Sequence, residues 1–292
     1  MKIIGHQKTL RHFDQLVQSN KLPHALLFTG PAGVGKKLVA KYFVQKLFCS
    51  DPQAPCEKCR HCQRIAKFEH PDLFWIDPES ESIKIDQIRE LKKDLSLVPF
   101  EASWKIAVLV DADRLNISAS NALLKTLEEP PPSSLIILTT ALPHFLLKTI
   151  LSRCQKIYFS PLRIQETEEV LKLNGKEFSD PRLIQAIGGS PGLALSFSEN
   201  ICQAVEEIFP ALESNPKDLL KLLAVAEEIA SQEETYKLLL QLLAIRWREK
   251  IVLDQQENDL KKFDKIQNTL KLLERNVNPL LAFENLFLNL CL

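Results

Sequence analysis

Gly30-Pro31-Ala32-Gly33-Val34-Gly35-Lys36-Lys37 decides how this chain reads. The apolar run Ala25-Leu26-Leu27-Phe28-Thr29 precedes it, and a helical pattern from Leu38 to Leu47 follows. Strand, glycine-rich turn and helix is the setting a phosphate-binding loop requires. Gly30, Gly33 and Gly35 leave room for backbone N–H groups to face phosphate oxygens, the helix N-terminus adds its positive end, and Lys36 supplies a point charge. The spacing fits G-x(4)-G-K, but Lys37 stands where a Ser or Thr hydroxyl normally holds Mg²⁺, which an ammonium cannot do. The loop is read as built for phosphates and impaired for metal-assisted chemistry. Lys37 either adds charge near the phosphates or points to solvent.

Working outward, 292 residues allow two or three domains with a large core. Lys plus Arg and Asp plus Glu are both 37, so no global charge draws the chain onto nucleic acid, and any such contact is local or shared with partners. Met1-Lys2-Ile3-Ile4-Gly5-His6 contains no apolar signal region, and no apolar run approaches membrane-spanning length. The expected setting is cytoplasmic, without a membrane. There the seven cysteines are better read as metal ligands or free thiols than as disulfides.

Just after the loop's helix come Cys49, Cys56, Cys59 and Cys62, in the spacing C-x6-C-x2-C-x2-C. Thiolates clustered this tightly suit tetrahedral Zn²⁺, and four protein ligands make such a site structural. Asp51, Pro52 and Pro55 mark the segment between the first two as a loop, and His61 is expected to be an exposed bystander.

Residues 7–20 read as an amphipathic helix carrying Leu10, Phe13, Leu16 and Val17 on one face. Further strands are expected at Leu73–Ile76, Trp104–Asp111, Leu135–Thr139 and Gln155–Phe159. Helices are expected from Ile85 to about Leu97 and from Asn116 to Glu129, the second stopped by Pro130-Pro131-Pro132. Alternation of this kind predicts an α/β domain with a doubly wound, mainly parallel sheet over residues 1–161. In such sheets ligands lie beyond the carboxyl ends of the strands. Asp111 is then placed to hold a metal or a metal-bound water, and Thr139 either senses a γ-phosphate or is satisfied by backbone. Asp113 is expected to cap the following turn. Ala112 occupies the position where a water-orienting glutamate would follow Asp111.

From Leu162 the pattern turns helical. A small domain spans 162–205, with helices at Arg163–Leu173 and Pro181–Ile187 and a turn at Gly188-Gly189-Ser190-Pro191-Gly192. Leu- and Ile-rich periodic segments then follow at Pro216–Ser231, Glu233–Gln256, Leu260–Arg275 and Pro279–Leu290. Residues 206–292 read either as a bundle core or as an oligomerisation collar, and periodicity does not separate the two.

Several of these stretches together resemble the clamp-loader AAA+ family. They are Leu22-Pro23-His24-Ala25, the four-cysteine insertion, Asp86-Gln87-Ile88-Arg89, Asn121 through Pro130, and Ser152-Arg153-Cys154. The resemblance is dense over residues 1–160, continues through Gly188–Gly192, and is only architectural beyond. It implies an AAA+ domain, a small helical lid and a helical collar. It further implies a hetero-oligomeric ring with motor (gamma/tau) and delta subunits that loads a sliding clamp on primer–template DNA. ATP sites would lie between neighbours, one giving the loop and the next giving the arginine of Ser-Arg-Cys, here Arg153. Lys37, Ala112 and Gly192 depart from the motor pattern, Gly192 standing where motors carry a phosphate-sensing arginine, and no long extension follows the third domain. The combination implies a subunit of a polymerase holoenzyme with little turnover of its own, in which ATP or ADP still binds or has been lost. Three alternatives stay open: a motor subunit of the same loader, an autonomous P-loop ATPase or kinase, and a stand-alone zinc adaptor. For Arg153 the alternative is an ordinary structural ion pair.

Overall fold

A computed structural model describes residues 2–19, 21–78, 82–176, 181–196, 205, 209, 210, 212, 233–254, 257–273 and 277–291. The chain divides into two compact units, Met1–Glu166 and Thr167–Leu292.

The first unit is an α/β layer structure. Its elements are α1 (Gln7–Ser19), β1 (Ala25–Thr29), α2 (Lys36–Phe48), α3 (Arg60–Ala66), β2 (Leu73–Ile76), α4 (Ile85–Leu95), β3 (Lys105–Leu109), α5 (Ile117–Glu128), β4 (Ser134–Thr140), α6 (Lys148–Arg153) and β5 (Gln155–Tyr158). The strands lie in the order β2-β3-β4-β1-β5, and every pairing among them is parallel. Strands buried on both faces read as continuous apolar runs, which is why β1, β3 and β4 do.

Side chains alternate between the two faces. Ala25 and Leu27 of β1, Ala107 and Leu109 of β3, and Ile136 and Leu138 of β4 pack with Ile88 and Leu91 of α4, Leu123 and Leu127 of α5, and Ile150 of α6. On the other face Phe13 of α1 stacks between Phe28 of β1 and Phe43 of α2, with ring centroids 5.5 and 4.1 Å away. All three rings are fully buried, and each such burial contributes about 1.5–3 kcal/mol.

Beyond shifts of a few residues at other element ends, two departures from the sequence expectation shape the site. Strand β3 stops at Leu109 instead of continuing to Asp111. Val110 still donates to the Ile76 carbonyl, but Asp111 turns left-handed (φ 48°) and starts a short 3-10 turn, Ala112–Arg114. Helix α3 is an element that composition did not announce. It starts because Cys59 takes the N-cap position, where its sulfur accepts from the Cys62 N–H.

Asp72, at the start of β2 and fully buried, fixes the loop before β3. Its carboxylate accepts from the N–H groups of Phe100, Glu101 and Ala102 at 2.7–2.8 Å and lies 3.5 Å from the buried Lys105 ammonium. Burial pushes this carboxyl up, but the three N–H donors and Lys105 outweigh burial and hold it below its usual range.

Helix α7 (Ile164–Leu173) runs across the division between the units. The second unit continues with α8 (Pro181–Ala186), α9 (Pro191–Ser196), α10 (Glu233–Asp254), α11 (Glu257–Leu273) and α12 (Pro279–Cys291). Buried residues from Leu171 to Leu290 form one apolar cluster around the fully buried Trp247. Asn278 precedes α12 and accepts from Leu281 N–H, with Pro279 at the first helical position. The expected helix at 216–231 lies outside the described residues. Among those described, no helix is long and apolar enough to cross a membrane.

Candidate functional site

Strand β1 delivers the chain to Gly30 at its carboxyl end. A Cβ there would sit 2.2 Å from the Phe159 carbonyl oxygen, so only glycine allows this approach of loop to β5. Gly35, at φ 98°, is the N-cap of α2 and leaves the first N–H groups of the helix without a side-chain cap. These free donors are what a phosphate would use. Lys36 is buried and donates to the carbonyls of Gly30 and Pro31, both at 2.7 Å. Burial pushes its ammonium down to about 8, against the opposing pull of Asp111 and Asp113.

Lys37 neither faces the loop nor hangs free: its ammonium forms an ion pair with Asp77, just past β2. Asp111 is half-buried, and burial together with repulsion from Asp113 raises its carboxyl above the usual range. Its N–H donates to the Thr139 hydroxyl at 3.1 Å, and Thr139 itself is buried. Asp113 accepts from the Thr140 hydroxyl, an interaction across to β4 and not a cap of its own turn. Ala112 is fully buried. The sheet therefore gathers Gly30, Gly33, Gly35, Lys36, Asp111 and Thr139 at the carboxyl ends of adjacent strands, with Lys37 turned to Asp77.

The four cysteines converge. Their sulfurs all lie within 4.8 Å of one another, with Cys49 and Cys59 3.9 Å apart. Backbone N–H groups of Cys56, Cys59 and Cys62 donate to the sulfurs of Cys49, Cys56 and Cys59 respectively, at 3.3–3.4 Å. Burial raises Cys49 and Cys62, while the half-buried Cys56 is drawn down to about 7 by the N–H groups of Cys59 and Lys58. This donor set can hold a metal ion.

His61 is not the exposed residue expected. It is half-buried, with Nδ1 2.8 Å from Nε2 of buried His70. Asp72 N–H donates to His70 Nδ1, so Nε2 carries the proton and donates to His61. With Glu101 nearby this group lies within reach of a common ion, but that hydrogen-bond pattern commits the facing nitrogens to each other. Glu101 in turn pairs with Arg60 at 3.2 Å and Arg64 at 2.9 Å, joining α3 to the loop that Asp72 fixes.

Arg153 ends α6, and Gln155 two residues on pairs with Leu26 near the start of β1. Arg153 thus lies at the amino ends of the strands and the phosphate loop at their carboxyl ends. The length of β1, five residues at about 3.3 Å each, puts on the order of 17 Å between those ends. The guanidinium makes an ion pair with Glu128, Nη2 to Oε1 at 2.7 Å, and donates through Nη1 to the Thr149 carbonyl at 3.0 Å. Sequence reasoning singled out neither Asp77, His70 nor Glu128 as a partner. Asp77 and Glu128 are brought to their mates only by the packing of separate elements, while His70 lies nine residues from His61 in the loop after α3.

An all-parallel sheet with a phosphate loop after β1, helices on both faces and a helical second unit is the AAA+ architecture. Two family models match this chain: "DNA polymerase III, delta subunit" over residues 5–163, and "Cyanobacterial DNA polymerase III delta prime, C-terminal domain" over residues 165–290. The chain belongs to the DNA polymerase III delta subunit family. Among its relatives is DNA polymerase III subunit delta' of Bacillus subtilis, 40% identical over 156 residues, which are 53% of this chain and 47% of that protein. Subunit delta' of Escherichia coli is 32% identical over 216 residues, 68% of this chain and 65% of that one. Subunit tau of Bacillus subtilis is 31% identical over 222 residues, 75% of this chain but 38% of tau. The matches span from about a third to about two thirds of these relatives. A crystal structure of a DNA polymerase III gamma subunit-related protein from Thermotoga maritima shares the fold. It has a TM-score of 0.54 and 22% identity, and the match covers 96% of this chain and 98% of that one.

Proposed function

We propose that this chain is a clamp-loader subunit of the delta-prime kind. It joins motor (gamma/tau) and delta subunits in a cytoplasmic hetero-oligomeric ring that loads a sliding clamp on primer–template DNA. Residues 162–205 serve as its lid and 206–292 as its collar. It hydrolyses little ATP itself and supplies Arg153 to a neighbour's site.

The observation that carries this reading is the separation of Arg153 from Lys36. The two lie at opposite ends of one parallel sheet, so Arg153 cannot reach its own loop. A guanidinium fork that meets a transferring phosphoryl group must then meet one held by another chain. The state of the chain's own loop supports the same reading. Lys37 is committed to Asp77, and Ala112 offers no carboxylate to orient water. ATP or ADP, if held, would lie against Gly30, Gly33, Gly35 and the N-terminus of α2, and Lys36 would have to exchange two carbonyls for phosphate oxygens.

In the same reading Cys49, Cys56, Cys59 and Cys62 hold one structural Zn²⁺. Sulfurs around a tetrahedral zinc at about 2.3 Å stand about 3.8 Å apart, and the 3.9 Å between Cys49 and Cys59 fits. The N–H donors favour the thiolate forms. The ion would supply a crosslink between the end of α2 and α3, and no open position for chemistry.

The test is reconstitution with the cognate motor and delta subunits. Arg153→Ala is expected to leave assembly intact and lower DNA- and clamp-stimulated ATPase. One such finger contributes on the order of 10³–10⁵ in rate at its own site, diluted in the ring by sites that keep theirs. Arg153→Lys rescues little, because an ammonium lacks the planar fork. Unchanged turnover and clamp loading in the alanine variant would return Arg153 to the ordinary structural ion pairs. The isolated chain is expected to hydrolyse ATP no faster than its Lys36→Ala variant.

A further inference from the structure

We infer that Glu128 is a positioning residue for Arg153, holding the guanidinium by one edge so that its outer edge is preset for an oxyanion on a neighbouring chain. This rests on the reading of Arg153 given above.

The two residues come from different elements, Glu128 from the last position of α5 and Arg153 from the last of α6. The helices are fixed against each other by Leu123, Leu127 and Ile150, all buried in the same cluster. Their ends are thus set by the core, and the Glu128–Arg153 contact inherits that rigidity. Arg153 is gripped twice: Nη2 by Glu128 Oε1 at 2.7 Å and Nη1 by the Thr149 carbonyl at 3.0 Å. Among the described residues each terminal nitrogen keeps its second N–H, and Nε keeps its own, so donors remain for a phosphoryl oxygen. The side chains are 34% and 48% exposed for Arg153 and Glu128, open to a partner.

A long arginine loses much rotamer freedom when it is fixed. Fixing it within the free subunit removes that cost from the moment of reaction, which is the general benefit of a preorganised group. An ion pair this exposed adds little to folding stability. Its removal should therefore show in kinetics and leave the fold alone.

The experiment uses full-length chain in the reconstituted loader, comparing wild type, Glu128→Ala, Glu128→Gln, Arg153→Ala and the Glu128→Ala/Arg153→Ala double variant. Stimulated ATPase is followed against ATP concentration, and thermal melting of each chain controls for folding. Glu128→Ala is expected to lower kcat by roughly half of the loss that Arg153→Ala produces in the same ring, with KM for ATP unchanged. Glu128→Gln, which keeps an acceptor oxygen but no charge, falls between. The double variant matches Arg153→Ala alone, because Glu128 acts only through Arg153. Wild-type kinetics in Glu128→Ala, beside a lowered Arg153→Ala, would overturn this inference and leave the parent reading standing. So would a rise in kcat, which would mark Glu128 as a brake, or an equal loss from Glu128→Ala when Arg153 is already gone. Wild-type kinetics in Arg153→Ala would remove the parent reading and this one with it.

Discussion

The ammonium of Lys36 donates to the carbonyl oxygen of Gly30 at 2.7 Å, inside the loop that would receive a phosphate. An anion must draw it away, and only the protonated form attracts an anion. Burial sets the free ammonium at about 8. Nucleotide affinity is therefore expected to fall as pH rises past about 8, by at most about tenfold per pH unit, since binding itself holds the proton more tightly. Titration with a fluorescent nucleotide between pH 7 and 9.5 checks this. A flat profile in the wild type, equal to that of Lys36→Ala, would contradict it.

The cysteine centre gives a second expectation. Elemental analysis of protein purified without chelator should find about one zinc per chain. Cys62→Ser, at the buried ligand, should lose it and melt at lower temperature, because the short segment from Cys49 to Cys62 has little apolar surface to hold it in place. Cys154→Ser should keep full metal content, since that buried thiol is not in the cluster.

Gly30 and Gly35 should respond differently to alanine. At Gly30 the new methyl meets the Phe159 carbonyl at 2.2 Å, so either loop or β5 must move, at a cost of about 1–3 kcal/mol or more. At Gly35 nothing lies within 4 Å and the strain is only that of the left-handed backbone, about 1–2 kcal/mol. Chemical denaturation of both variants measures the order. A Gly35→Ala loss exceeding that of Gly30→Ala would contradict it.

Asp72→Ala should be the costliest of these substitutions. It strips three N–H groups of their charged acceptor and leaves the buried Lys105 to Asp94 and the Pro71 carbonyl, for a loss of about 3–5 kcal/mol at neutral pH. The carboxyl is held below its usual range in the folded chain. Its contribution is therefore complete above the unfolded value near 3.8 and is lost as pH falls through the lower folded value. The stability gap between wild type and variant should narrow below about pH 4, and unfolding curves from pH 3 to 7 would reveal a gap that does not.

What the sequence disclosed was what it encodes locally. The loop from Gly30 to Lys36 follows an apolar run and opens a helix, so its neighbours in sequence are its neighbours in space. The four cysteines fall within fourteen consecutive positions, close enough for one ion. The pairings that decide how the site is poised are not local. Lys37 meets Asp77 forty positions away, and Arg153 meets Glu128 across two helices. Nothing in either partner's own surroundings marks it, because strand order and register create the meeting. The end of β3 is likewise not legible: the apolar run continues to Val110, but Asp111 leaves the extended region to start a turn.

The parallel sheet has two unequal ends, and that inequality gives the molecule a direction. One end carries the glycine-rich loop, whose lysines are engaged inside the chain, and the other carries the partly exposed Arg153. Chains that meet end to end in this way meet heterologously, each seam taking a different face from each partner. If Arg153 serves a neighbour as proposed, this chain would complete a seam on one side and contribute no working loop on the other. On the proposed function such a chain would behave as a terminus, fixing where a row of such chains stops and which way along it the working seams face.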